Sequence, residues 1–477
     1  MNTSPGPWGP VAEGVHRTPR LGRLLRFSAV AGVVALVALT VTGVLLYQQA
    51  EDSLTRVPVD ELDEFDELTG PEEQSPETAS TDARAFLVVG SDSRSDTEDT
   101  EEVARGDVEG QRSDAILYVS LSQERDEVSV LSLPRDLLVE RDGRKQRLGD
   151  TFMDGAGELV ATIQEEFGLP VHHYAKVTFG GFIDAVDTLG GVELCLEDDL
   201  VDRDAGADLE AGCRHRSPED ALAFVRSRQG ERADLERIER QQQFIRAVLE
   251  ELTERRLLAD VPRLFSLVED VAGNVVTDDR LSMREMLGLA DEVRDLVDDD
   301  IPMGSIPAYP EMVNGRDVLL PYGPGARAAI EDLQTRGTIR DTGTPEQREQ
   351  TTVAVWSRHR EEGMRIIGST LLFGGFVDRH AAGPGPEELD VGATTTTVFA
   401  EPGDTDAADR VAALLGAPVR ELSETVEMPD GADAVVAVGR DATDGLKLGP
   451  WATDPDESLE TQQPPPRDAD APEPSAR

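Results

Sequence analysis

Short apolar runs alternate with longer helical repeats through the middle of the chain. Three runs rich in β-branched, aromatic and leucine residues predict strands: Ala85–Val89, Ala115–Leu121 and Val128–Leu133. The last two predict a hairpin, because only the polar stretch Ser122–Asp126 separates them. Apolar residues at helical spacing then predict four helices: Leu159–Phe167, Phe182–Leu189, Ala221–Val225 and Arg237–Leu252. This mixture indicates one α/β domain over residues 81–340.

A second, smaller unit is predicted over residues 351–442. Its strand runs are Thr352–Trp356, Thr395–Phe399 and Ala434–Val438, with a helical stretch at Ala407–Leu415. Residues 338–350 contain Gly343, Pro345 and many polar groups, a composition typical of a linker between the two units.

One uncharged run near the N-terminus is long enough to cross a membrane. Phe27–Tyr47 has 21 residues, close to the roughly 20 that span the hydrocarbon core as a helix. Four arginines precede this run and two acidic residues follow it, so residues 1–26 are predicted to be cytoplasmic and the rest extracytoplasmic. A cleaved signal peptide is the competing interpretation, although the run is long for one and no small-x-small site ends it.

Both flanks of the predicted folded region are polar. Residues 51–80 hold eleven acidic side chains, one arginine and several prolines, so residues 48–80 are predicted to form an extended acidic linker. Residues 443–477 are rich in Pro, Asp and Glu and are predicted to be a disordered tail.

The overall charge restricts the possible partners. Acidic residues outnumber basic ones by 95 to 46, and the formal net charge is −49 at pH 7. This charge argues against a broad contact with nucleic acid, so we expect no nucleic-acid partner. An anionic ligand can bind only where cationic side chains gather locally.

The two cysteines, Cys195 and Cys213, are too few for a disulfide scaffold and lack the neighbours of a zinc site. A single bridge between them is the favoured interpretation, which an oxidising compartment would permit. Two buried free thiols remain the alternative.

Three polar clusters flank the predicted strands of the first domain. They hold three aspartates, Asp92, Asp114 and Asp136, and three arginines, Arg94, Arg112 and Arg135. If the first strand pairs antiparallel with the second, all three clusters meet at one edge of the sheet. Carboxylates suit a divalent metal there and guanidinium groups suit a phosphate. A set of ordinary salt bridges at a sheet edge is the alternative.

A second cluster follows a predicted helix start at Ser217-Pro218. Arg226 and Arg228 are two residues apart, so they can share a ligand only if the backbone leaves helical geometry there, which Gly230 makes plausible. Asp234 comes next, and then Arg237 and Gln241 lie on one face of a helix because they are four apart. The predicted buried side of that helix is marked by Phe244, Ile245, Val248 and Leu252. The alternative for these arginines is a solvated helix face.

Six ordered segments resemble the motifs of the LytR-CpsA-Psr (LCP) family. The resemblance covers about residues 85–340, and the segments read FLVVGSDSR, QRSDAILYVSL, VSVLSLPRD, FGGFIDAVDTLGGVELC, ALAFVRSR and DLERIERQQQFI. Agreement is weaker around Gly149–Val160. Residues 351–442 resemble the LytR C-terminal-like domain that often accompanies this family, with Trp356-Ser357-Arg358 in place of its usual opening Asn-Gly turn.

The resemblance implies an α/β fold and a set of site residues. The fold would be an LCP-type catalytic domain with a central mixed sheet flanked by helices, a smaller C-terminal α/β domain and one N-terminal transmembrane helix. Mg²⁺, or Mn²⁺ in its place, would bind to Asp92 and Asp114. The pyrophosphate would contact Arg94, Arg112, Arg135, Arg226, Arg228, Arg237 and Gln241. The catalytic residues would be Asp92, Arg112, Asp114 and Asp234, the last of which orients the arginines. The resemblance also favours a Cys195–Cys213 bridge, which extracytoplasmic members from actinobacteria often carry.

The function implied is that of a membrane-anchored, extracytoplasmic phosphotransferase. It would move a polyprenyl-pyrophosphate-linked glycopolymer onto peptidoglycan and release polyprenyl phosphate. A polyprenyl-pyrophosphate hydrolase is one alternative, since water could replace the acceptor at the same residues. A membrane-bound transcriptional regulator is another, but the outward topology and the charge of −49 argue against it.

Overall fold

Two larger β-sheets organise the part of the chain that the structure describes. The structure is a computed structural model, and it describes residues 55–62, 83–91, 113–122, 127–141, 143–229, 233–254, 275–282, 285–286, 288, 301–358, 361–389, 394–423 and 425–443. The strands are β1 (Thr55–Val57), β2 (Ala83–Ser91), β3 (Ser113–Ser122), β4 (Glu127–Ser132), β5 (Leu138–Arg141), β6 (Arg144–Arg147), β7 (His173–Thr178), β8 (Val192–Leu196), β9 (Leu200–Asp202), β10 (Ala207–Leu209), β11 (Gly212–Arg216), β12 (Val275–Asp278), β13 (Met303–Ser305), β14 (Ala308–Val313), β15 (Arg316–Pro321), β16 (Val353–Trp356), β17 (Arg379–Ala381), β18 (Thr397–Ala400), β19 (Val419–Glu421) and β20 (Ala434–Ala437). The helices are α1 (Leu148–Thr151), α2 (Ala156–Phe167), α3 (Phe179–Leu189), α4 (Pro218–Arg226), α5 (Ala233–Glu254), α6 (Gly323–Arg336), α7 (Pro345–Gln350), α8 (Glu361–Phe373) and α9 (Asp406–Leu415).

The central sheet is mixed, as predicted for the first domain. Its strand order is β1-β12-β7-β2-β3-β4-β13. Strands β2, β3 and β4 are consecutively antiparallel, whereas β2 and β7 run parallel. The predicted hairpin is therefore confirmed, and so is the antiparallel pairing of the first strand with the second. At the edge where β2 ends, Ser91 pairs with Ser113 across a register shift.

The two faces of the central sheet have different side chains. One face carries large residues, among them Leu87, Tyr118 and Tyr174, and packs into a solid core with helices α2 and α6. The other face, beneath helices α3, α4 and α5, has the small residues Gly90 and Ala115 beside Val88 and Leu117. Close packing on the first face stabilises the domain, and the small residues on the second leave open space.

The predicted acidic linker is wrong for residues 55–62. Strand β1 extends the central sheet by pairing in parallel with β12, and Val59 and Leu62 are buried in the core of the first domain. Residues 48–80 are mostly acidic, but they include a few apolar residues. These are spaced so that a strand at the sheet edge and a short helical turn can bury them.

The second sheet has the strand order β17-β16-β20-β18-β19 and lies among the residues predicted as the smaller domain. Its assignment as a LytR C-terminal-like domain stays a prediction. The predicted linker, 338–350, is partly helical, because Thr344 and Gln347 form a reciprocal capping box that begins α7. Among the described residues no helix is both long and apolar enough to cross a bilayer, and the predicted anchor, 27–47, lies outside them.

The two sheets are linked by shared core residues. Phe373, at the end of α8, packs with the core of the central sheet, and Tyr322 packs with the core of the second sheet. Gly325 of α6 closely approaches α9, since a Cβ there would clash with the carbonyl oxygen of Leu414. The two halves therefore pack as parts of one compact unit.

The adjacent histidines 172 and 173 have structural partners. His172 Nδ1 accepts a hydrogen bond from the amide of Ala85, and His173 Nδ1 lies 3.3 Å from a carboxylate oxygen of Asp278. His173 also stacks on Phe86, with ring centroids 5.1 Å apart. Hydrogen bonds from its neighbours keep the pKa of Asp278 below its usual range despite burial, which raises it.

We expect Glu166→Gln to stabilise the protein above neutral pH. Burial beside Glu140 and Glu165 raises the pKa of Glu166 to about 7. An acid whose folded pKa is raised destabilises the fold when ionised, so stability falls as pH rises from about 4.5 to about 7. Thermal unfolding should show a higher Tm for the variant at pH 8 and little difference at pH 4.5. The exposed Glu331→Gln on α6 is the control, and equal shifts at both pH values for Glu166→Gln would contradict the prediction.

Candidate functional site

A cavity of 790 Å³ lies between the central sheet and helices α3, α4 and α5. Its floor is the second face of this sheet, where Val88, Gly90, Ala115, Leu117 and Val177 line the cavity. Apolar side chains of the three helices form most of its walls: Phe179, Phe182, Ala185, Val186, Leu189, Leu222, Val225, Phe244, Ile245 and Val248. Such a wall suits an apolar ligand, because it offers few hydrogen-bonding groups.

Cationic side chains line the same cavity. Five arginines reach it from separate elements: Arg135, Arg203, Arg226, Arg228 and Arg237. Gln241 joins them, and the acidic residues in the lining are Asp202 and Asp204. The structure thus brings together five of the predicted ligand residues, which lie up to about a hundred positions apart in sequence. In a chain of net charge −49 this is the kind of local cationic site that an anion requires.

Arg226 and Arg228 share the cavity because α4 ends between them. The helix begins at a Ser217 cap, whose side chain accepts a hydrogen bond from the amide of Asp220, and its last residue is Arg226. Ser227 has extended geometry, with φ −61° and ψ 138°. In extended backbone, residues two apart point to the same side, which helical geometry forbids. The break predicted from sequence is therefore present, one residue after Arg226.

An aromatic ring holds the guanidinium group of Arg226. Its Cζ lies 4.4 Å from the ring centroid of Phe179, the first residue of α3. Thr178 caps that helix, because its hydroxyl oxygen accepts a hydrogen bond from the amide of Gly181. A cation over a ring face is attracted by the ring quadrupole without using its N–H donors on protein acceptors. The Phe179 ring thus orients the guanidinium group of Arg226 without using its N–H donors, which a ligand can then accept from.

Arg135 enters the site from the turn after β4. Its carbonyl oxygen accepts a hydrogen bond of 2.7 Å from the amide of Gly149, and its Nε lies 3.6 Å from a carboxylate oxygen of Asp136. A Cβ at Gly149 would lie 3.0 Å from the Cβ of Arg135 and 3.1 Å from the hydroxyl of Ser113. Glycine therefore permits the close approach of α1 to this end of the sheet.

Helix α5 contributes Arg237 and Gln241, four residues apart on one face, as predicted. Arg237 is only 5% exposed, and a buried guanidinium group needs compensating acceptors or an anion. The side of α5 that we predicted to be buried does not pack into a solid core. Its residues Phe244, Ile245 and Val248 line the cavity. Apolar residues at helical spacing mark a buried side, but the spacing does not tell whether that side meets a packed core or a cavity.

The remaining predicted site residues are only partly described. Asp92, Arg94 and Arg112 lie outside the described residues, and of Asp114 in β3 and Asp234 in α5 only the backbone is described. Within the described ranges no group of three potential metal-ligating side chains occurs. Metal binding and the catalytic assignments therefore stay predictions.

A disulfide joins Cys195 and Cys213, which face each other across the β8–β11 pair. It closes the base of the segment that contains the β9–β10 hairpin. Helix α5 packs against this base, where Gln243 Nε2 donates a 2.8 Å hydrogen bond to the carbonyl oxygen of Cys195.

Two residues that contact the segment after α4 were not predicted from the sequence. Asp202, on the β9–β10 hairpin, accepts hydrogen bonds from the hydroxyl of Ser227 at 2.9 Å and from the amide of Arg228 at 2.8 Å. Arg240 on α5 donates to the carbonyl oxygens of Ser227 and Gln229. An available signal was the run Asp202–Gly206, whose Asp and Gly content favours a turn between short strands.

Much of the chain matches a known protein family. Residues 46–335 match the model of the LytR_cpsA_psr family. The probable cell wall biosynthesis protein LcpB of Corynebacterium glutamicum is 31% identical over 287 residues, which are 59% of this chain and 65% of that protein. The match thus covers less than two thirds of that relative. The polyisoprenyl-teichoic acid–peptidoglycan teichoic acid transferase TagU of Halalkalibacterium halodurans is 25% identical, over 54% of this chain and 79% of that protein.

The chain is also similar to a solved structure. The LytR-Csp2A-Psr enzyme from Actinomyces oris is 24% identical in sequence and aligns with a TM-score of 0.44. The alignment covers 55% of this chain and 92% of that one.

We expect Phe179→Leu to weaken anion binding at the cavity about fivefold, since a cation–π contact is worth about 1 kcal/mol. Leucine keeps the apolar contact but removes the ring beneath Arg226. Titration calorimetry with inorganic pyrophosphate measures the effect. Phe86→Leu, which removes a ring from the stack with His173, is the control and should leave the affinity unchanged. Equal affinities for Phe179→Leu and the wild-type protein would contradict the prediction.

Proposed function

The chain belongs to the LytR-CpsA-Psr family, and from this membership we propose that it is a phosphotransferase of the cell wall. It moves a polyprenyl-pyrophosphate-linked glycopolymer onto peptidoglycan and releases polyprenyl phosphate. The relatives support this proposal through their names, which include a cell wall biosynthesis protein and transferases of teichoic acid to peptidoglycan.

The observation that carries the proposal is the composition of the cavity. A ligand that fills this cavity would contact both an apolar wall and a cluster of arginines that includes Arg226, Arg228 and Arg237. A polyprenyl pyrophosphate has an apolar chain and an anionic head, so it matches both parts. Charge-assisted hydrogen bonds from guanidinium forks to phosphate oxygens are worth on the order of 1.5–3 kcal/mol each. The chain would lie along the helices and the pyrophosphate beside the arginines.

The arginines also suit the reaction. A hydroxyl group of peptidoglycan attacks the sugar-linked phosphorus and loses its proton to the solvent, while the bond from that phosphorus to the bridging oxygen breaks. Negative charge grows on the departing polyprenyl phosphate. Preorganised positive groups lower the free energy of such a transition state more than that of the ground state. The side-chain amide of Gln241 would donate to a phosphate oxygen beside Arg237.

A divalent ion, Mg²⁺ or Mn²⁺, is part of the proposal. Its ligands would be Asp92 and Asp114, because hard cations prefer carboxylate oxygens. The fold supports this choice, since the residues that precede these two aspartates, Ser91 and Ser113, pair across β2 and β3 at the edge of the cavity. When bound, the ion would supply further positive charge to the pyrophosphate. Arg112 and Arg94 would add phosphate contacts from the same edge, and Asp234 would orient Arg237.

The proposed location is the outer side of the cell membrane. A single helix, Phe27–Tyr47, would anchor the chain with residues 1–26 in the cytoplasm, and the cavity would face lipid-linked substrate outside. The Cys195–Cys213 disulfide supports this side, because disulfides persist in oxidising compartments.

The proposal predicts that Arg226→Ala reduces release of polyprenyl phosphate at least about a hundredfold, through loss of a contact that grows stronger in the transition state. The full chain in detergent is incubated with Mg²⁺, a polyprenyl-pyrophosphate-linked oligosaccharide and peptidoglycan fragments, and both products are measured. Asp92→Ala and Arg112→Ala should behave alike. Arg214→Ala, which changes an exposed arginine paired with Glu210, is the matched control with unchanged turnover.

The acceptor distinguishes the transferase from a hydrolase. Oligosaccharide attached covalently to peptidoglycan supports the transferase. Free oligosaccharide, formed equally with and without peptidoglycan, would show a hydrolase. Full turnover in all three site variants would refute the assignment of the site.

A second prediction separates the apolar chain from the anionic head. Val248→Trp adds bulk to the apolar wall and excludes part of the chain, so KM for the lipid substrate should rise at least about tenfold, at about 0.8 kcal/mol per methylene. Affinity for inorganic pyrophosphate should not change. Met312→Trp, which adds similar bulk at a 62% exposed position, should alter neither quantity. An unchanged KM in Val248→Trp would contradict a chain lying along this wall.

A further inference from the structure

The three residues after α4 have no regular secondary structure, yet they hold Arg228 at the cavity. Residues 227–229 follow the last helical residue, Arg226, and precede a segment outside the described residues. Helix α4 fixes only its first amide, because Ser227 N–H donates to the carbonyl oxygens of Ala223 and Phe224. Other amide and carbonyl groups of the segment bond to side chains, and these contacts set the geometry around Arg228.

One carboxylate binds the amide side of this segment. Oδ2 of Asp202 accepts from the Ser227 hydroxyl at 2.9 Å and from the Arg228 amide at 2.8 Å. Its other oxygen, Oδ1, accepts from the amides of Asp204 and Ala205 at 3.0 and 3.2 Å. Asp202 thus joins the turn of the β9–β10 hairpin to the segment that presents Arg228. The Arg228 amide makes the largest contribution that lowers the pKa of this carboxyl, which favours the ionised acceptor.

One guanidinium group binds the carbonyl side. Nη1 of Arg240 donates to the carbonyl oxygen of Ser227 at 2.7 Å, and Nη2 donates to that of Gln229 at 3.1 Å. Glu236, one helical turn earlier on α5, accepts from Nη2 at 3.0 Å and orients the group. The hairpin adds a further link, because the amide of Val201 donates to Oε1 of Gln229 at 2.9 Å.

From this geometry we infer that Asp202 and Arg240 are positioning residues that fix the Ser227–Gln229 backbone and so place the guanidinium group of Arg228 beside Arg226 in the cavity. The inference rests on the proposed function for the identity of the ligand. Asp202 and Arg240 bind opposite edges of one short segment. If either residue is lost, the other alone does not define the orientation of the segment. A misplacement of about 1 Å at a reacting group can cost about a hundredfold in rate.

Neighbouring groups show why the arrangement is specific. Ser227 is fully buried and its hydroxyl donates to Asp202, while Arg226 and Arg228 on either side of it line the cavity. Arg240 is on the same helix as Arg237 and Gln241. The segment after α4 is therefore aligned directly against the helix that supplies the other ligand contacts.

The test measures inorganic pyrophosphate binding and turnover on the full chain in detergent. Asp202→Ala should weaken pyrophosphate binding about tenfold and lower kcat about thirtyfold, with a smaller change in KM for the lipid substrate. Asp202→Asn keeps one acceptor oxygen and should give intermediate values. Arg240→Lys keeps the charge but cannot bridge both carbonyl oxygens, so it should resemble Asp202→Ala.

Two controls separate positioning from general stability. Asp208→Ala changes an exposed aspartate opposite Val201 on the same hairpin and should match the wild-type protein. Val411→Ala opens a cavity in the core of the second sheet, so it should lower Tm without weakening pyrophosphate binding. If Val411→Ala and Asp202→Ala weaken binding in proportion to their losses in Tm, the role of Asp202 is merely structural and the inference is overturned.

The outcomes also separate this inference from the proposed function. Weakened pyrophosphate binding in Asp202→Ala and Arg240→Lys supports the inference even if the wild-type protein releases no polyprenyl phosphate, a result that would reject only the proposed function. Unchanged binding and kcat in both variants would overturn the inference while leaving the transferase intact. A wild-type protein that does not bind pyrophosphate would overturn it as well.

Discussion

The central sheet has two apolar faces, and close packing fills only one of them. Leu87, Tyr118 and Tyr174 fill the space under one face, and the resulting core stabilises the domain. On the other face Gly90 and Ala115 leave a cavity that three helices roof. Everything proposed about function depends on this asymmetry. A fully packed second face would leave the arginines on a surface with no room for an apolar chain.

The arginines are placed by local irregularities and not by regular structure. Helix α4 stops at Arg226, and the extended Ser227 lets Arg228 face the same way. Phe179 supports one guanidinium group from below, while Gly149 permits the turn that carries Arg135 to approach. The packed core on the other face of the sheet holds the scaffold to which these residues are attached. The rigid core on one face and the irregular turns at the cavity together allow cationic groups to gather in an acidic protein.

The second sheet is tightly joined to this scaffold. Phe373 enters the core of the first domain and Tyr322 enters that of the second, so the two halves bury each other's apolar groups. Arg348, at the junction, is 4% exposed and donates to the carbonyl oxygen of Gly343. The attraction of Glu239 on α5 offsets part of the lowering of the Arg348 pKa that burial causes. Helix α5 therefore contacts the second half on one side and the cavity on the other.

The sequence by itself determined the elements and the family. Alternating and helical apolar patterns located β2, β3, β4 and helices α2 to α5, because those periods follow from backbone geometry. Motif order identified the arginines, and the two-residue spacing of Arg226 and Arg228 required the break in α4 that the structure contains. Only the tertiary structure decided that the apolar side of α5 lines a cavity, that residues 55–62 join the core, and that Asp202 and Arg240 hold the segment after α4. These depend on contacts between residues far apart in the chain, and local periodicity carries no information about which distant group a side chain meets.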